Sequence, residues 1–178
     1  MKFKERLLQG ILIKRYKRFF VDIKYQNKTI TAHCPNSGSM MGLLDLGNKV
    51  WFSESNNPKR KLKYTLEIIK VKNKLVGVNT HLANKIVDEG LNNNFIKEFR
   101  NLENIKAEVF YNKETRFDFL INNKNKKAFI EVKNVTLFRN KDAAEFPDAQ
   151  TSRGTKHLKT LVDATKNGFK SYVLFLVQ

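Results

Sequence analysis

The second half of the chain contains two stretches that decide its fold, Arg116-Phe117-Asp118-Phe119-Leu120-Ile121 and Ala128-Phe129-Ile130-Glu131-Val132-Lys133. Each alternates as a β-strand does, with every second side chain on the same face. A hairpin centred between Lys124 and Asn125 places apolar residues opposite each other in three pairs: Phe117 with Val132, Phe119 with Ile130 and Ile121 with Ala128. A shift by one residue would mix the faces, so the pattern predicts this register with all six on one face.

The same register places Asp118 directly opposite Glu131 on the other face, with Lys133 two residues farther along the strand. Like charges that face each other destabilise a sheet, so a third group is expected to neutralise them. Carboxylates of this kind bind Mg²⁺ or Mn²⁺, which can activate water and stabilise charge on a phosphate. We therefore predict Asp118, Glu131 and Lys133 as catalytic residues and the two acids as metal ligands. The alternative is a salt bridge in which Lys133 relieves both carboxylates.

The first helix of this half could supply a third metal ligand. Glu89, near the end of that helix, could point toward the same face, and Glu98 is a possible substitute. The alternative for either residue is a solvated helix carboxylate.

The remaining pattern of residues 80–178 predicts the order helix, three strands, helix, strand, which resembles the core of PD-(D/E)xK nucleases. The first helix begins at a cap formed by Asn79 or Thr80, and the second runs from about Ser152 to Lys166 and stops at Gly168. The apolar face of the first helix is predicted to consist of Leu82, Ile86, Val87 and Leu91. That of the second helix is predicted to consist of Leu158, Leu161, Val162 and Thr165. The run Tyr172–Val177 has no alternation, so we expect a strand buried on both faces.

Residues 1–79 show a different pattern, that of short strands separated by turns. The strands are predicted near residues 10–14, 19–25, 29–32, 50–53, 62–71 and 75–78. This favours an all-β barrel of the oligonucleotide-binding (OB) type. The expected fold is therefore α/β overall, with an OB-like barrel at 1–79 and a nuclease-like α/β domain at 80–178.

The net charge of +17 is concentrated in the first half, where residues 1–79 hold 17 of the 34 Lys and Arg residues but 5 of the 17 Asp and Glu residues. Such an excess favours a polyanionic partner, and we predict DNA, with RNA not excluded. The alternative is a lysine-rich, solvated surface that reflects an AT-rich genome. The predicted nucleic-acid-binding residues are Arg15, Lys17, Arg18, Lys59, Arg60, Lys61 and Lys63 in the barrel and Arg153, Lys156 and His157 on the second helix.

Aromatic residues are interleaved with the first basic cluster. Tyr16, Phe19 and Phe20 could stack on the bases of a single strand, or they could fill the barrel core, and we expect Phe19 in the core. The segment Pro35-Asn36-Ser37-Gly38-Ser39-Met40 is expected to be an inter-strand turn, with an anion-binding loop as the alternative.

The sequence predicts a cytoplasmic protein without a membrane partner. No apolar run approaches the roughly 20 residues of a membrane-spanning helix, and the single Cys34 cannot form an internal disulfide.

The sequence also resembles the sugar fermentation stimulation protein A family along nearly its whole length. In the first half the matching stretches are residues 18–22, His33-Cys34-Pro35-Asn36-Ser37-Gly38-Ser39-Met40, 55–61 with Tyr64-Thr65, and 76–80 with Ala83-Asn84. In the second half they are 116–120, Glu131-Val132-Lys133-Asn134-Val135-Thr136-Leu137, Phe146-Pro147-Asp148-Ala149, Arg153-Gly154 with Lys156-His157-Leu158, and Phe175-Leu176-Val177-Gln178.

The resemblance implies an OB-type barrel, a nuclease-like domain, DNA binding without marked sequence preference, and a regulatory role in sugar metabolism, particularly that of maltose. It aligns Asp118, Glu131 and Lys133 with the nuclease motif. Two alternatives to a regulatory DNA-binding protein are a Mg²⁺-dependent nuclease and an RNA-associated accessory protein. Members of the family usually continue past the last strand, so the chain is expected to be a truncated member.

Overall fold

The structure is a computed structural model that describes residues 1–124, 126–137, 144–147 and 151–178. In the resembling stretch that begins at Phe146, Asp148 and Ala149 lie outside these residues, as does Asn125 of the predicted hairpin loop. The first six strands are β1 (Leu8–Tyr16), β2 (Phe20–Tyr25), β3 (Lys28–His33), β4 (Lys49–Glu54), β5 (Tyr64–Val71) and β6 (Lys74–Gly77). After them come α1 (Ala83–Asn92), β7 (Asn104–Phe110), β8 (Arg116–Asn123), β9 (Lys126–Val135), α2 (Ser152–Lys166) and β10 (Lys170–Val177).

The first six strands form one closed sheet, an OB-like β-barrel. Their order is β3-β2-β1-β4-β5-β6, and an additional parallel pairing of β3 with β5 aligns His33 with Thr65. The β3–β5 pairing closes strands β1 to β5 into a barrel, and β6 extends it by pairing with β5. The core consists of alternate side chains from these strands, with Leu12, Ile23, Phe52 and Leu66 fully buried.

Local sequence explains two details of the barrel. Gln26 and Asn27 both have left-handed backbone angles, φ 48° and 61°, as a two-residue hairpin between β2 and β3 requires. Gly10 allows β1 to approach its neighbours, because an added Cβ would lie 2.5 Å from Ile23 Cγ2 and 2.8 Å from the Lys24 carbonyl oxygen.

The last four strands form a second sheet with the order β10-β9-β8-β7 and a helix on each face. One face packs Phe119, Ile121 and Ile130 against Val87 and Leu91 of α1. The other packs Phe117 and Phe129 against Leu161 and Ala164 of α2. The predicted order of helix, three strands, helix, strand is therefore confirmed, and the chain is an OB-like barrel followed by an α/β domain.

Several predictions about burial are wrong. Phe19 precedes β2 and its side chain is exposed, because the alternation that buries Val21 and Ile23 begins only at Phe20. The strand β10 is an edge strand with Phe175 and Val177 exposed, since an apolar run does not distinguish an edge strand from a central one.

The helices also differ from the prediction at their ends and faces. A 3-10 turn, Thr80–Leu82, precedes α1, and the side chain of Asn79 accepts a hydrogen bond from the backbone N–H of His81 within this turn. On α2, the buried residues are Leu161 and Ala164, whereas Leu158 and Val162 are exposed. The small side chain of Ala164 permits α2 to lie close to the sheet. The helix face that packs is therefore rotated away from the more apolar face that contains Leu158 and Val162.

Candidate nucleic-acid interface and carboxylate site

The central hairpin has the predicted register over part of its length. Phe119 pairs with Ile130 and Ile121 with Ala128, as expected. The ladder then stops, and the carboxylate of Asp118 accepts a hydrogen bond from the backbone N–H of Val132 at 2.6 Å. The predicted pairing of Phe117 with Val132 and of Asp118 directly with Glu131 is therefore wrong, because a side chain replaces the strand partner at this point.

The neighbouring strand β7 is also irregular at this level. Glu108 has a left-handed backbone, φ 56°, and it interrupts the β7–β8 ladder between the pairs Ala107–Phe119 and Val109–Phe117. The register is the same on both sides of this gap, so no residue is inserted there. At this level Phe117 packs in the α2 cluster while Phe119 packs in the α1 cluster, so the six apolar residues do not share one face.

Asp118 is held from the α1 side of the sheet. The side-chain amide of Asn84, in the first turn of α1, donates to Asp118 Oδ1 at 2.7 Å and to Glu108 Oε1 at 3.2 Å. Arg116 forms an ion pair with the other oxygen of Glu108 at 2.8 Å. Asn84 thus links two carboxylates, and each Asp118 oxygen accepts one hydrogen bond and keeps a further lone pair.

Glu131 is held from the α2 side. Its side chain is 5% exposed, and its Oε1 lies 2.6 Å from Lys133 Nζ and 2.7 Å from His157 Nδ1. Its other oxygen, Oε2, is buried without a hydrogen-bond partner among the described atoms. Native proteins rarely leave a buried acceptor unmatched, because its desolvation is then uncompensated.

The two carboxylates share no hydrogen-bond partner within the part of the chain that the structure describes. Glu89, the predicted third ligand, instead contacts the N-terminal amine of Met1. Glu98 lies in a separate 3-10 turn, Lys97–Phe99. Across the described residues, no three His, Cys, Asp or Glu side chains form a group that could hold a metal. The donor chemistry of Asp118 and Glu131 fits a hard cation that takes its other ligands from water and substrate.

The basic residues of the barrel fall into free and engaged sets. Lys17, Arg18, Lys59 and Lys61 are exposed, and none has an ion pair or side-chain hydrogen bond within the described ranges. Lys63, in contrast, pairs with Glu54 at 2.5 Å, and this hydrogen bond raises the pKa of the lysine. The free cations are the ones that can exchange counterions for phosphates.

Arg15 has a structural role. Its guanidinium donates to the backbone carbonyls of Arg18, Asn36, Gly38 and Ser39. The loop after β3 therefore turns carbonyl oxygens toward an arginine, which fits the expected inter-strand turn and not the anion-binding alternative.

Arg60 lies beside a group of aromatic rings. Its Nη2 donates to Thr65 Oγ1 at 2.9 Å, and Thr65 is the strand partner of His33. Burial, together with the charges of Arg60 and His81, lowers the pKa of His33. The ring of Phe19 stacks on His33 with centroids 6.3 Å apart.

The predicted basic face of α2 is divided in the same way. Arg153 and Lys156 are exposed, and Lys156 pairs with Glu114 at 2.6 Å. This contact lowers the pKa of the Glu114 carboxyl. His157 is turned inward to Glu131, so it is not part of an exposed basic face.

Two family models match the chain. The model described as the SfsA N-terminal OB domain matches residues 13–78, and the one described as the sugar fermentation stimulation protein RE domain matches residues 81–178. The chain belongs to the sugar fermentation stimulation protein family. Among the family's curated homologues, one from Pelagibacter ubique is 65% identical over all of this chain and 77% of its own length. Another, from Alteromonas mediterranea, is 47% identical over all of this chain and 78% of its own length.

A solved structure of a family member has the same fold. The structure of Pyrococcus furiosus SfsA in complex with Ca²⁺ superimposes with a TM-score of 0.86 over 98% of this chain and 74% of that chain, at 23% identity. In the residues described here, no helix has both the length and the apolar character needed to cross a membrane.

Sequence reasoning missed Asn84 and Glu108 and assigned His157 to the wrong surroundings. His157, Leu161 and Ala164 follow the i, i+4, i+7 spacing of one helix face, which is the signal that could have placed the histidine against the sheet. Asn84 lies in a stretch that resembles the family, which is a signal for the position but not for its contact with Asp118. Glu108 had no comparable signal.

Proposed function

We propose that this family member binds DNA with little sequence preference through the basic surface of its OB-like barrel. The observation that carries the proposal is the set of free cations Lys17, Arg18, Lys59 and Lys61 in a half of the chain with 17 basic and 5 acidic residues. Cations without internal partners can neutralise phosphates and release counterions, which supplies most non-specific affinity.

Low sequence preference follows from where these residues lie. Lys17 and Arg18 are in the turn between β1 and β2, and Lys59 and Lys61 are in the segment between β4 and β5. Loop lysines contact phosphates, whereas sequence is read mainly by side chains that reach base edges in a groove, often from a helix.

The test is fluorescence anisotropy with labelled duplexes of unrelated sequence. We expect equal affinities within about threefold and binding that weakens steeply with salt. An affinity that is insensitive to salt, or a strong preference for one short operator, would refute the proposal. Competition between labelled DNA and an RNA of the same length tests the RNA-associated alternative.

Regulation of sugar metabolism, particularly that of maltose, is the proposed cellular consequence of this binding. The names of the relatives, which refer to stimulation of sugar fermentation, support the link to sugar metabolism. Deleting the gene should change transcript levels of sugar-utilisation genes, and a binding-deficient variant with Lys59 and Lys61 replaced should reproduce that change.

A second function, metal-dependent cleavage of nucleic acid, is favoured by the buried Glu131 Oε2, which has no hydrogen-bond partner among the residues that the structure describes. Asp118 and Glu131 would hold a divalent cation, Mg²⁺ or Mn²⁺, if the Asp118 carboxylate turns from Asn84 toward Glu131 when the ion binds. The Pyrococcus furiosus relative was solved with Ca²⁺. Such an ion, when bound, supplies positive charge at the reacting phosphate. Lys133 would add a second positive charge there, and His157 would fix the orientation of Glu131.

Calorimetric Mn²⁺ titration with and without DNA tests this second function. Wild-type protein should bind the ion, and Asp118→Asn should bind it at least tenfold more weakly while remaining folded. Cleavage of supercoiled or single-stranded DNA should be lost in Asp118→Asn and in Lys133→Ala. Intact DNA throughout Mg²⁺ and Mn²⁺ titrations of the wild type would eliminate the nuclease function and leave the binding function untouched.

A further inference from the structure

An exposed aromatic ring on the barrel stands on a fixed backbone. The Phe19 side chain is 42% exposed, yet its N–H donates to the Lys17 carbonyl at 2.7 Å and its carbonyl accepts from the Cys34 N–H at 2.8 Å. A ring held in this way loses little conformational freedom when a flat ligand stacks on it, and such preorganisation favours binding.

Histidine rings lie behind Phe19. The ring planes of Phe19 and His33 are inclined by 24°, and the His33 and His81 rings have centroids 6.5 Å apart. The lowered pKa of His33 keeps its imidazole uncharged at neutral pH. One side of the Phe19 ring is thus supported by protein.

Positive charge lies next to these rings. Arg60 is held at Thr65, across the β3–β5 pairing from His33, and Arg18 directly precedes Phe19 and is exposed. A base stacked on a ring brings its own phosphates within reach of such cations, and this combination is how many proteins bind single strands.

We propose that the face formed by Phe19, His33 and Arg60 binds an unpaired base of single-stranded nucleic acid, with the base on Phe19 and a neighbouring phosphate at Arg60. In a duplex the faces of the bases are covered by stacking, so this contact is open only to unpaired bases. The inference rests on the proposed function, since it names the form of nucleic acid that the barrel prefers.

The experiment compares four labelled probes: a 30-nucleotide dT strand, an rU strand, an abasic strand of the same length, and a duplex. Phe19→Ala should weaken dT binding by roughly 5- to 150-fold, which corresponds to the about 1–3 kcal/mol of one base stack at about 1.4 kcal/mol per factor of ten. Binding to the abasic strand and to the duplex should change less than twofold. The control, Phe95→Ala, removes another exposed phenylalanine and should leave all four affinities unchanged.

Phe19→Trp provides a readout that a merely structural role would not produce. The new indole should retain dT affinity, and its fluorescence should be quenched by dT but not by the abasic strand. Equal dT affinity for Phe19→Ala and wild type, or no quenching in Phe19→Trp, would overturn the inference while leaving duplex binding in place. If the wild type binds none of the probes at 50 mM salt, both this inference and the proposed DNA-binding function are wrong. Comparing dT with rU decides whether the strand is DNA or RNA.

Discussion

Replacing Lys59 and Lys61 with glutamine removes two of the four predicted nucleic-acid-binding cations of the barrel whose side chains are exposed and have no partner in the described part of the chain. Each phosphate neutralised contributes about 0.9 to the slope of log affinity against log salt on duplex DNA. Phosphate contacts by these four cations therefore predict a slope of roughly −3.6, and contacts by two of them predict roughly −1.8. Between 50 and 200 mM salt, the wild-type Kd should rise about 150-fold and that of the variant about 12-fold.

Fluorescence anisotropy on one duplex at five salt concentrations measures both slopes. The matched control removes a cation that is already neutralised, Lys63, together with its partner Glu54. This double glutamine variant preserves the net charge and should retain the wild-type slope. Identical slopes for the wild type and the Lys59 and Lys61 variant would refute the reasoning, because the free cations would then not be the ones that contact phosphate.

The remaining predictions concern stability, measured by urea unfolding. Gly10→Ala should lower the free energy of unfolding by about 1–3 kcal/mol through overpacking, with a shifted midpoint and an unchanged m-value; an unaltered midpoint would contradict the close approach in β1. Lys133→Met should lower the free energy of unfolding by about 3 kcal/mol, because it leaves the buried Glu131 carboxylate with fewer partners. Adding Glu131→Gln to that variant should restore part of the lost free energy. If the two substitutions instead lower the free energy of unfolding additively, the two side chains are not coupled. Because the folded barrel lowers the pKa of His33, the unfolded chain takes up more protons below about pH 6.5. Wild-type stability should therefore fall relative to His33→Gln as the pH drops from 7.5 to 5.5, and a constant difference would exclude the linkage.

The order of elements could be predicted from sequence because each element has its own period. Alternation in Phe119, Ile121, Ala128 and Ile130 is sufficient to align β8 with β9, and the structure has that register. The alternation could not show where the ladder stops, since at that point the Asp118 carboxylate replaces the strand partner of the Val132 N–H.

The environment of the carboxylates was partly predictable. The neighbouring positions of Glu131 and Lys133 indicate their ion pair. The alternative in which Lys133 relieves both carboxylates is only half right, because Asp118 accepts from Asn84 and from the Val132 N–H instead. The contact of His157 with Glu131 was not predicted, because Leu158 and Val162 form a more apolar stripe on α2 than the stripe that packs. The face of α2 that packs is the one whose shape fits the sheet, and this fit depends on the sheet residues as much as on the helix residues.

The two proposed functions make different demands on their charged residues, and a different set of residues meets each demand. Binding through phosphates needs cations that are exposed and unpaired, as Lys59 and Lys61 are. Metal-dependent chemistry needs carboxylates fixed by a surrounding set of donors, as Glu131 is by Lys133 and His157. Removing the free cations should therefore weaken all nucleic-acid binding without changing metal affinity, whereas Asp118→Asn should do the reverse. A variant of either kind that affects both properties equally would mean that the barrel and the carboxylates do not act as independent sites.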